Sequence, residues 1–481
     1  MRFHIILRYM GMVLLLNALF MLIAAGISFF NEMDTGFYPL LLSCMLTTVL
    51  GTFPLIFVSG GTQISNKEGY AIVVGSWLMA CLVGTFPYLL WGGEFGVMNA
   101  WFESVSGFTT TGATILNQVE ALPQGLLFWR SSTHLLGGIG VVMFALVILP
   151  ALGRTKLTLS SLEISSLAKD NFRYRTQKMV RVLLGVYAGM VVVETFLLNM
   201  AGMDLLDAVN HAFSNVATGG FSTRTLSIAY YNNGWIEAIV MLFMILGSLH
   251  FGLIFATFTG KRENIFNSEV SRYYLIILAC FTLLITFTLW RNGNFPDLLT
   301  SLRYSAFEVV SSASTTGFSN TDSAVWPPFA IILLIFLSIQ CGCAGSTSGG
   351  MKIDRILLAG KVVRSRIRRQ QHPNAVIRLK LNRILQDESL ISFAMIFIVI
   401  YLFLLLLGTA LCAAFGTDLM TGFSISFASM GNVGPGFGDV GSMSNYAHLP
   451  DPVKVVSTLW MLLGRLEIFG LIQLFMLSQW R

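Results

Sequence analysis

The stretch Thr110-Thr111-Gly112-Ala113 contains a short motif that recurs three more times along the chain. The other copies are Ala217-Thr218-Gly219-Gly220, Thr315-Thr316-Gly317-Phe318 and Asn432-Val433-Gly434-Pro435. Their glycines at 112, 219, 317 and 434 are about 100 residues apart, a period typical of an internally repeated architecture. We therefore interpret most of the chain as four copies of one unit.

Each motif follows a helix-like segment that is too short to cross a bilayer. The four segments are residues 99–108, 204–215, 296–313 and 417–430. The residues five positions before the glycines are all small, as close packing of helix ends requires, and they are Gly107, Ser214, Ser312 and Ser429. Two units share more, because Phe102-Glu103 and Phe307-Glu308 stand at matching distances before Gly112 and Gly317.

Long apolar runs flank every short segment. The pairs are residues 70–90 with 126–149, 180–200 with 235–258, 273–290 with 328–341, and 392–415 with 453–473. Two more apolar runs, 9–30 and 38–58, precede the first unit. This pattern predicts an all-α polytopic membrane protein of about ten spans, with four fused span, pore helix, span repeats around a pseudo-four-fold pore and two extra N-terminal transmembrane helices. The predicted divisions are 1–65 for the extra helices and 66–160, 161–265, 266–384 and 385–481 for the repeats, the third of which contains a loop at membrane depth.

The composition supports a membrane protein and weakens other classes. Of 481 residues, 55% are hydrophobic and 11% are charged, against about 25% charged in soluble domains. The net charge of +6 comes from basic residues that lie between apolar runs, which argues against nucleic-acid binding. Six cysteines and scattered histidines indicate neither a disulfide framework nor a metal centre, and we expect no bound cofactor.

The charge map predicts the orientation. Basic residues concentrate in the stretches 153–181 and 352–383, with a shorter group at 261–272, and the positive-inside rule places these in the cytoplasm. The stretches 92–125 and 415–451 contain acidic residues but no Lys or Arg, so they face outward. Both termini are then cytoplasmic. A patch for lipid headgroups is the alternative interpretation of the basic stretch at 352–383.

Threonine and glycine before a second span have a chemical rationale. A cation that crosses a narrow pore must exchange its water shell for oxygens, which rings of backbone carbonyls can supply. Glycine reaches backbone angles that let a carbonyl point inward, and the negative C-terminal end of each short helix favours a cation. The motifs therefore predict a cation-selective filter.

These residues resemble the Trk/Ktr/HKT superfamily of potassium transporters, over nearly the whole chain, and the two extra spans resemble its TrkH-like branch. The resemblance implies a potassium filter, with potassium as substrate, at Thr110, Thr111, Gly112, Ala217, Thr218, Gly219, Thr315, Thr316, Gly317, Asn432, Val433 and Gly434. A second filter glycine is kept only in the fourth loop, at Gly436, whereas the others have Thr114, Phe221 and Ser319. We expect weaker discrimination against sodium than in a four-fold identical channel.

The third unit is interrupted by residues 340–350, which are too glycine-rich and polar to continue as an exposed helix. A phosphate-binding loop is a rival interpretation, but Met351 stands where that motif needs lysine. The resemblance implies an intramembrane gate formed by Gly342, Ala344, Gly345, Ser346, Thr347, Ser348, Gly349, Gly350 and Arg465. Arg465 is ionisable and lies within the last span, so a structural pair, for example with Glu467, is the alternative to a role in the pore.

Other buried charges have two interpretations each. Glu103 and Glu308 could attract cations at the outer mouth or satisfy backbone donors around the filter, and we favour the structural role. His134, His250 and Glu194 lie in apolar surroundings and are expected to bond neighbouring helices.

The leading hypothesis is channel-like potassium uptake across a bacterial inner (plasma) membrane, without enzymatic activity. The resemblance implies a homodimer, surrounding membrane lipid and a cytosolic nucleotide-binding regulatory ring (RCK/KTN-type, TrkA-like) that contacts the basic loops. A proton- or sodium-coupled symporter is the alternative. A polytopic membrane enzyme would need clustered acid, base or metal-ligand residues, for which the outward loops offer few candidates.

Overall fold

The computed structural model describes residues 2–58, 66–143, 176–372, 378–382 and 384–471. The basic stretch at 154–175, the repeat boundary predicted at 160 and Arg383 therefore lie outside the described residues. In order the elements are α1 (Phe3–Phe30), α2 (Phe37–Phe57), α3 (Asn66–Gly84), α4 (Phe86–Trp91), α5 (Val97–Phe108), α6 (Gln124–Met143), α7 (Thr176–Met200), α8 (Leu205–Val216), α9 (Gly234–Ser248), α10 (Phe251–Phe258), α11 (Glu269–Arg291), α12 (Leu298–Ser314), α13 (Pro328–Gln340), α14 (Ile353–Gln371), β1 (Lys380–Leu381), β2 (Ile384–Leu385), α15 (Glu388–Ala414), α16 (Leu419–Gly431) and α17 (Asp451–Arg465).

Among the described residues, six helical stretches are long and apolar enough to cross a membrane. They are Phe3–Phe30, Phe37–Phe57, Glu68–Trp91, Val180–Met200, Glu269–Arg291 and Glu388–Ala414. A seventh is reached if α9 and α10, which meet at a bend of 108°, count as one broken span. This count is lower than the predicted ten: α13 and α17 are only 13 and 15 residues long, and the span predicted at 126–149, which contains α6, extends beyond the described residues.

The short helices α8, α12 and α16 begin at acidic N-caps. Asp204 accepts a hydrogen bond from the backbone N–H of Leu206, Asp297 from that of Thr300, and Asp418 from those of Met420 and Thr421. Such caps satisfy donors that have no partner inside the helix. Every one of these helices starts near the surface and ends in buried residues, so its C-terminal end points into the molecule.

Each short helix packs against the long helix that precedes it in the chain. Thus α8 packs on α7, α12 on α11 and α16 on α15, whereas α5 packs on α3. The two N-terminal helices pack on each other, and α1 also contacts α3 and α6. Buried side chains from these helices form one large core, and a small second cluster contains Ile6, Ala71 and Ile72 of α1 and α3. Large apolar side chains stay exposed along α1, α2 and α15, as expected of helices that face lipid.

Candidate functional site

The four motifs adopt one backbone conformation at the ends of α5, α8, α12 and α16. A residue with left-handed φ comes first in each, and these residues are Thr110 (φ 51°), Thr218 (φ 53°), Thr315 (φ 62°) and Asn432 (φ 52°). The next amide donates to the carbonyl five residues earlier, over 2.9 Å from Thr111, 2.8 Å from Gly219, 3.1 Å from Thr316 and 2.9 Å from Val433. The third position is a glycine with positive φ in every loop. These glycines are Gly112, Gly220, Gly317 and Gly434, with φ of 82°, 87°, 76° and 93°.

This conformation corrects the alignment of the second loop by one residue. Gly220, rather than Gly219, matches the other three positive-φ glycines, and Ala217 precedes the left-handed residue instead of occupying its place. The residue five positions before the second glycine is then Asn215 and not the small Ser214. Two adjacent glycines fit the sequence motif equally well, so only the backbone distinguishes them.

The four loops touch one another in a closed cycle, which we call the ring; its loops are residues 110–113, 218–221, 315–318 and 432–435. A Cβ atom added to the positive-φ glycine of any loop would collide with a carbonyl oxygen of a neighbouring loop. The colliding pairs are Gly112 with Gly219, Gly220 with Thr316, Gly317 with Val433, and Gly434 with Thr111. All four glycines also line one cavity. Four segments spread over the sequence therefore converge on a common centre.

Bonds outside the ring repeat the same cyclic order. Glu120 accepts from the backbone N–H of Thr225 over 2.8 Å, and the N–H of Ala229 donates to the carbonyl of Ser319 over 3.2 Å. The N–H of Ser323 donates to Ser442 Oγ over 3.0 Å. Finally, the N–H of Tyr446 donates to the carbonyl of Thr114 over 2.8 Å. Each loop is thus tied to both of its neighbours.

The glycine-rich segment, defined here as residues 341–352, lies between α13 and α14 and contacts the ring. Thr315 Oγ1 lies 3.0 Å from Ser348 Oγ and accepts from the N–H of Gly349 over 3.1 Å. Thr347 Oγ1 donates to the carbonyls of Val216 (3.0 Å) and Gly247 (3.1 Å). The second half of the segment is therefore hydrogen-bonded to the ends of α8 and α12.

Arg465, at the end of α17, reaches the same segment. Its guanidinium donates to the carbonyl of Thr347 over 2.7 Å and to that of Gly137 over 3.5 Å. Glu467, the partner considered for Arg465, forms an ion pair with Arg355 of α14. The first half of the segment is held elsewhere, because the N–H of Ala344 donates to Asp354 over 2.6 Å and Gly345 packs on His250.

Comparison with known proteins identifies the family. The family model described as "TrkH: Cation transport protein" matches residues 40–479. The chain belongs to the TrkH family. It is 33% identical to the Trk system potassium uptake protein TrkH of Halomonas elongata over 489 residues, with 100% of both chains covered. It is 34% identical to the Trk system potassium uptake protein TrkH of Escherichia coli, with 87% of each chain covered.

A solved structure resembles the whole TrkH-family chain. The crystal structure of the potassium transporter TrkH from Vibrio parahaemolyticus superposes with a TM-score of 0.90 at 29% identity, covering 100% of both chains. The relatives are named as potassium uptake proteins, a transport family and not an enzyme family. The predictions of a mostly helical, multi-pass membrane protein without enzymatic activity agree with this membership.

Within this TrkH-family chain, Glu103 binds the residues that directly follow the first ring loop. Arg130 Nε donates to Glu103 Oε1 over 2.6 Å, and both side chains are buried. Glu103 also accepts from the N–H of Ile115 over 3.1 Å and from Thr114 Oγ1 over 2.9 Å. In the third unit, Glu308 accepts from the N–H of Asn320 over 3.3 Å. These contacts favour the structural interpretation of both carboxylates.

The corrected alignment reveals residues that the sequence analysis missed. The position of Glu103 and Glu308 is occupied by His211 in the second unit and by Ile425 in the fourth. His211 Nε2 lies 2.9 Å from Ser222 Oγ, so it too holds a ring loop. Lys352 was counted only as a topology signal, yet its ammonium is buried and donates to the carbonyl of Ser348. Aligning Gly220 with the other three glycines would have identified His211 from the sequence. No sequence feature distinguished Lys352 from the other basic residues.

Proposed function

We propose that the chain takes up potassium through a channel-like pore on the axis of the ring. In this proposal four fused units surround the pore, and the two N-terminal helices α1 and α2 stand outside it. The observation that carries the proposal is the closed cycle of contacts among the four positive-φ glycines and the carbonyls of their neighbours. The family membership supports potassium as the substrate.

The chemistry of the ring suits a dehydrated cation. In each loop a left-handed residue and, two positions later, a glycine with positive φ flank a residue of ordinary φ. Such alternation can turn consecutive carbonyls in one direction, and oxygens so placed can replace the water of a potassium ion. The C-terminal ends of α5, α8, α12 and α16 all meet at the ring, where their dipoles add negative potential. Only the fourth loop has a second glycine, Gly436, since the equivalent residues are Thr114, Ser222 and Ser319. We therefore expect moderate discrimination against sodium.

The glycine-rich segment and Arg465 act as the gate in this proposal. Thr347 and Ser348 hydrogen-bond the segment to the ends of two short helices. Arg465 adds a buried positive charge beside it. A fixed cation on the pathway raises the barrier to a permeant cation. Opening then requires the segment to move away from the ring.

The remaining expectations concern orientation and partners. We place the termini, α14 and the hairpin of β1 and β2 on the cytoplasmic side of a bacterial inner membrane, where α14 exposes Arg364, Arg366, Arg368 and Arg369. A nucleotide-binding ring that docks on these residues, and a homodimer, complete the assembly in this proposal. An inside-negative potential then drives uptake with about 2.3 kcal/mol per charge per 100 mV.

The test is uptake of potassium and of sodium into liposomes that contain the purified protein. Gly434→Ser places a side chain against the carbonyl of Thr111, so the potassium-to-sodium ratio should fall. Gly293→Ser is the matched control, because Gly293 also has positive φ (70°) but faces open space. An unchanged ratio in Gly434→Ser, with folded protein, contradicts the filter. Flux that depends strictly on a proton or sodium gradient would favour the symporter instead.

A further inference from the structure

The second ring loop lacks a side chain where the other three loops have one. The residue before the positive-φ glycine is Thr111, Thr316 or Val433 in those loops, and Gly219 in the second. The backbone of Gly219 lies outside the left-handed region, so its conformation does not require glycine. The reason must therefore be lack of space for a Cβ atom.

The imidazole of His134 fills that space. A Cβ atom added to Gly219 would lie 2.5 Å from Cγ and 2.6 Å from Cε1 of His134. His134 belongs to α6, in the first unit, and is completely buried. Its Nδ1 lies 2.9 Å from Ser214 Oγ, and its ring stacks on Phe221 with centroids 4.1 Å apart and an interplanar angle of 14°. The imidazole thus contacts Ser214 at the end of α8, and Gly219 and Phe221 in the second ring loop.

His134 also supplies a bond that the second loop cannot make for itself. In the first loop Thr111 Oγ1 lies 2.8 Å from Thr109 Oγ1. In the third, Thr316 Oγ1 lies 2.7 Å from Ser314 Oγ. Each bond ties the ring loop to the end of its short helix, whereas Gly219 and the matching Ala217 have no hydroxyl groups, as is also true of Val433 and Gly431 in the fourth loop.

In the second unit the bond from His134 to Ser214 ties α6 to the end of α8 instead, at a position that matches Ser106 and Ser311 rather than Thr109 and Ser314. Ser214 is the residue whose carbonyl accepts the Gly219 amide over 2.8 Å. Arg130, one turn before His134 on α6, donates to the carbonyl of Ser222 over 2.8 Å and lies over the Phe221 ring at 3.6 Å. The first unit therefore holds the second ring loop from both ends.

We propose that His134 is a positioning residue for ion selectivity: its imidazole replaces the missing side chain at position 219 and fixes the direction of the Gly219 carbonyl. The proposal rests on the proposed function, since it assumes that this carbonyl contacts the permeant ion. In this proposal, one residue of the first unit determines the carbonyl geometry of the second ring loop, which is one quarter of the filter.

A double-mutant cycle tests this proposal, with the potassium-to-sodium uptake ratio in liposomes as the readout. His134→Ala leaves the loop unsupported, and Gly219→Ala forces a methyl group against the imidazole, so each should lower the ratio about tenfold, equivalent to about 1.4 kcal/mol. In His134→Ala/Gly219→Ala the methyl group enters the space that the imidazole left. The double variant should therefore recover most of the wild-type ratio, which a merely stabilising histidine does not predict.

Controls separate selectivity from folding. Thr286→Val removes a buried hydrogen bond of 2.6 Å to Ser305, between α11 and α12, and should lower the melting temperature without changing the ratio. If His134→Ala does not fold, His134→Gln carries the test, because its amide can keep the bond to Ser214 and should retain the wild-type ratio. A folded His134→Ala with a wild-type ratio, a double variant no better than the single ones, or a lost ratio in His134→Gln would overturn the proposal.

The Gly434→Ser variant shows whether a negative result concerns only the role of His134 or the proposed filter as a whole. If it lowers the ratio and His134→Ala does not, the role of His134 is wrong and the proposed filter stands. If neither substitution changes the ratio in folded protein, the ring is not the filter and both proposals fall.

Discussion

Arg130 and Glu103 carry opposite charges in a place that excludes water, and their bond of 2.6 Å connects α6 with α5. A buried ion that loses its partner retains its full desolvation cost. Arg130→Met should therefore destabilise the protein by about 3 kcal/mol or more, measured as a lower melting temperature of the purified protein.

The comparison for Arg130 is the pair of Arg224 with Asp207, at 2.8 Å, in which the arginine is 30% exposed. Because Arg224 keeps contact with water and Asp207 also accepts from Tyr231 over 2.8 Å, Arg224→Met should destabilise the protein less than Arg130→Met. Equal losses in the two variants would contradict the role of burial at Arg130.

Arg465 allows a functional prediction at the same scale. Its guanidinium bonds to the carbonyl of Thr347 beside the proposed gate, so Arg465→Ala removes a positive charge from the proposed pathway. Potassium flux into liposomes should rise by about one order of magnitude, which corresponds to about 1.4 kcal/mol in the barrier. Unchanged or reduced flux in protein that elutes as a folded species would argue for a structural role only.

The acidic N-caps should make the stability of the protein depend on pH. The hydrogen bond from Thr300 lowers the pKa of the exposed Asp297 carboxyl, and that from Thr421 lowers the pKa of Asp418. A carboxyl whose folded pKa is depressed stabilises the protein above its unfolded pKa of about 3.9, and that stabilisation is lost as the pH falls through the folded value.

Asp297→Ala and Asp418→Ala should therefore lower the melting temperature at pH 7. The gap from wild type should narrow as the pH falls below about 4. Melting curves between pH 7 and pH 3 provide the check. A gap of constant size over that range would mean that the charge of the cap contributes nothing.

At the scale of elements, two hydroxyl side chains of the glycine-rich segment form hydrogen bonds with different partners. Thr347 Oγ1 bonds to the carbonyls of Val216 and Gly247, outside the segment, whereas Ser346 Oγ bonds to Cys343 within it. Thr347→Val keeps the size of the side chain and removes the two hydrogen bonds of its hydroxyl group. The segment is then held less firmly in its closed position, so potassium flux should increase severalfold. Ser346→Ala is the matched control and should leave flux near the wild-type level. Equal flux in the two variants would show that these bonds do not keep the segment closed.

The sequence predicted these elements well where composition and spacing carry the information. The short helices follow from hydropathy, and the break predicted at residues 340–350 from its glycine content agrees with the observed non-helical segment at 341–352. The alignment of the second loop does not, because Gly219 and Gly220 are chemically identical and only φ separates them. Among the described residues the structure has fewer long apolar helices than the ten predicted spans, since α13 and α17 are short, α9 with α10 is bent, and the predicted spans 126–149 and 453–473 extend beyond the described residues.

At the scale of the whole molecule, closure of the ring depends on contacts that no local pattern encodes. Asn432 Nδ2 donates to Thr111 Oγ1 over 3.0 Å, although 321 residues separate them in the chain. The repeat predicted that four loops meet, and it could not predict which carbonyl meets which glycine. The imidazole of His134 shows the same limit, because its partner Gly219 lies in the next unit.

The most direct measurement is anomalous diffraction from crystals of the protein grown with rubidium or thallium ions. The proposed pore predicts anomalous peaks on the axis of the ring, among the carbonyls of Thr111, Gly219, Thr316 and Val433, and weaker peaks there in crystals of Gly434→Ser. Peaks confined to other parts of the molecule, with an empty ring in the wild-type crystals, would contradict the claim that these carbonyls replace the water of the transported ion.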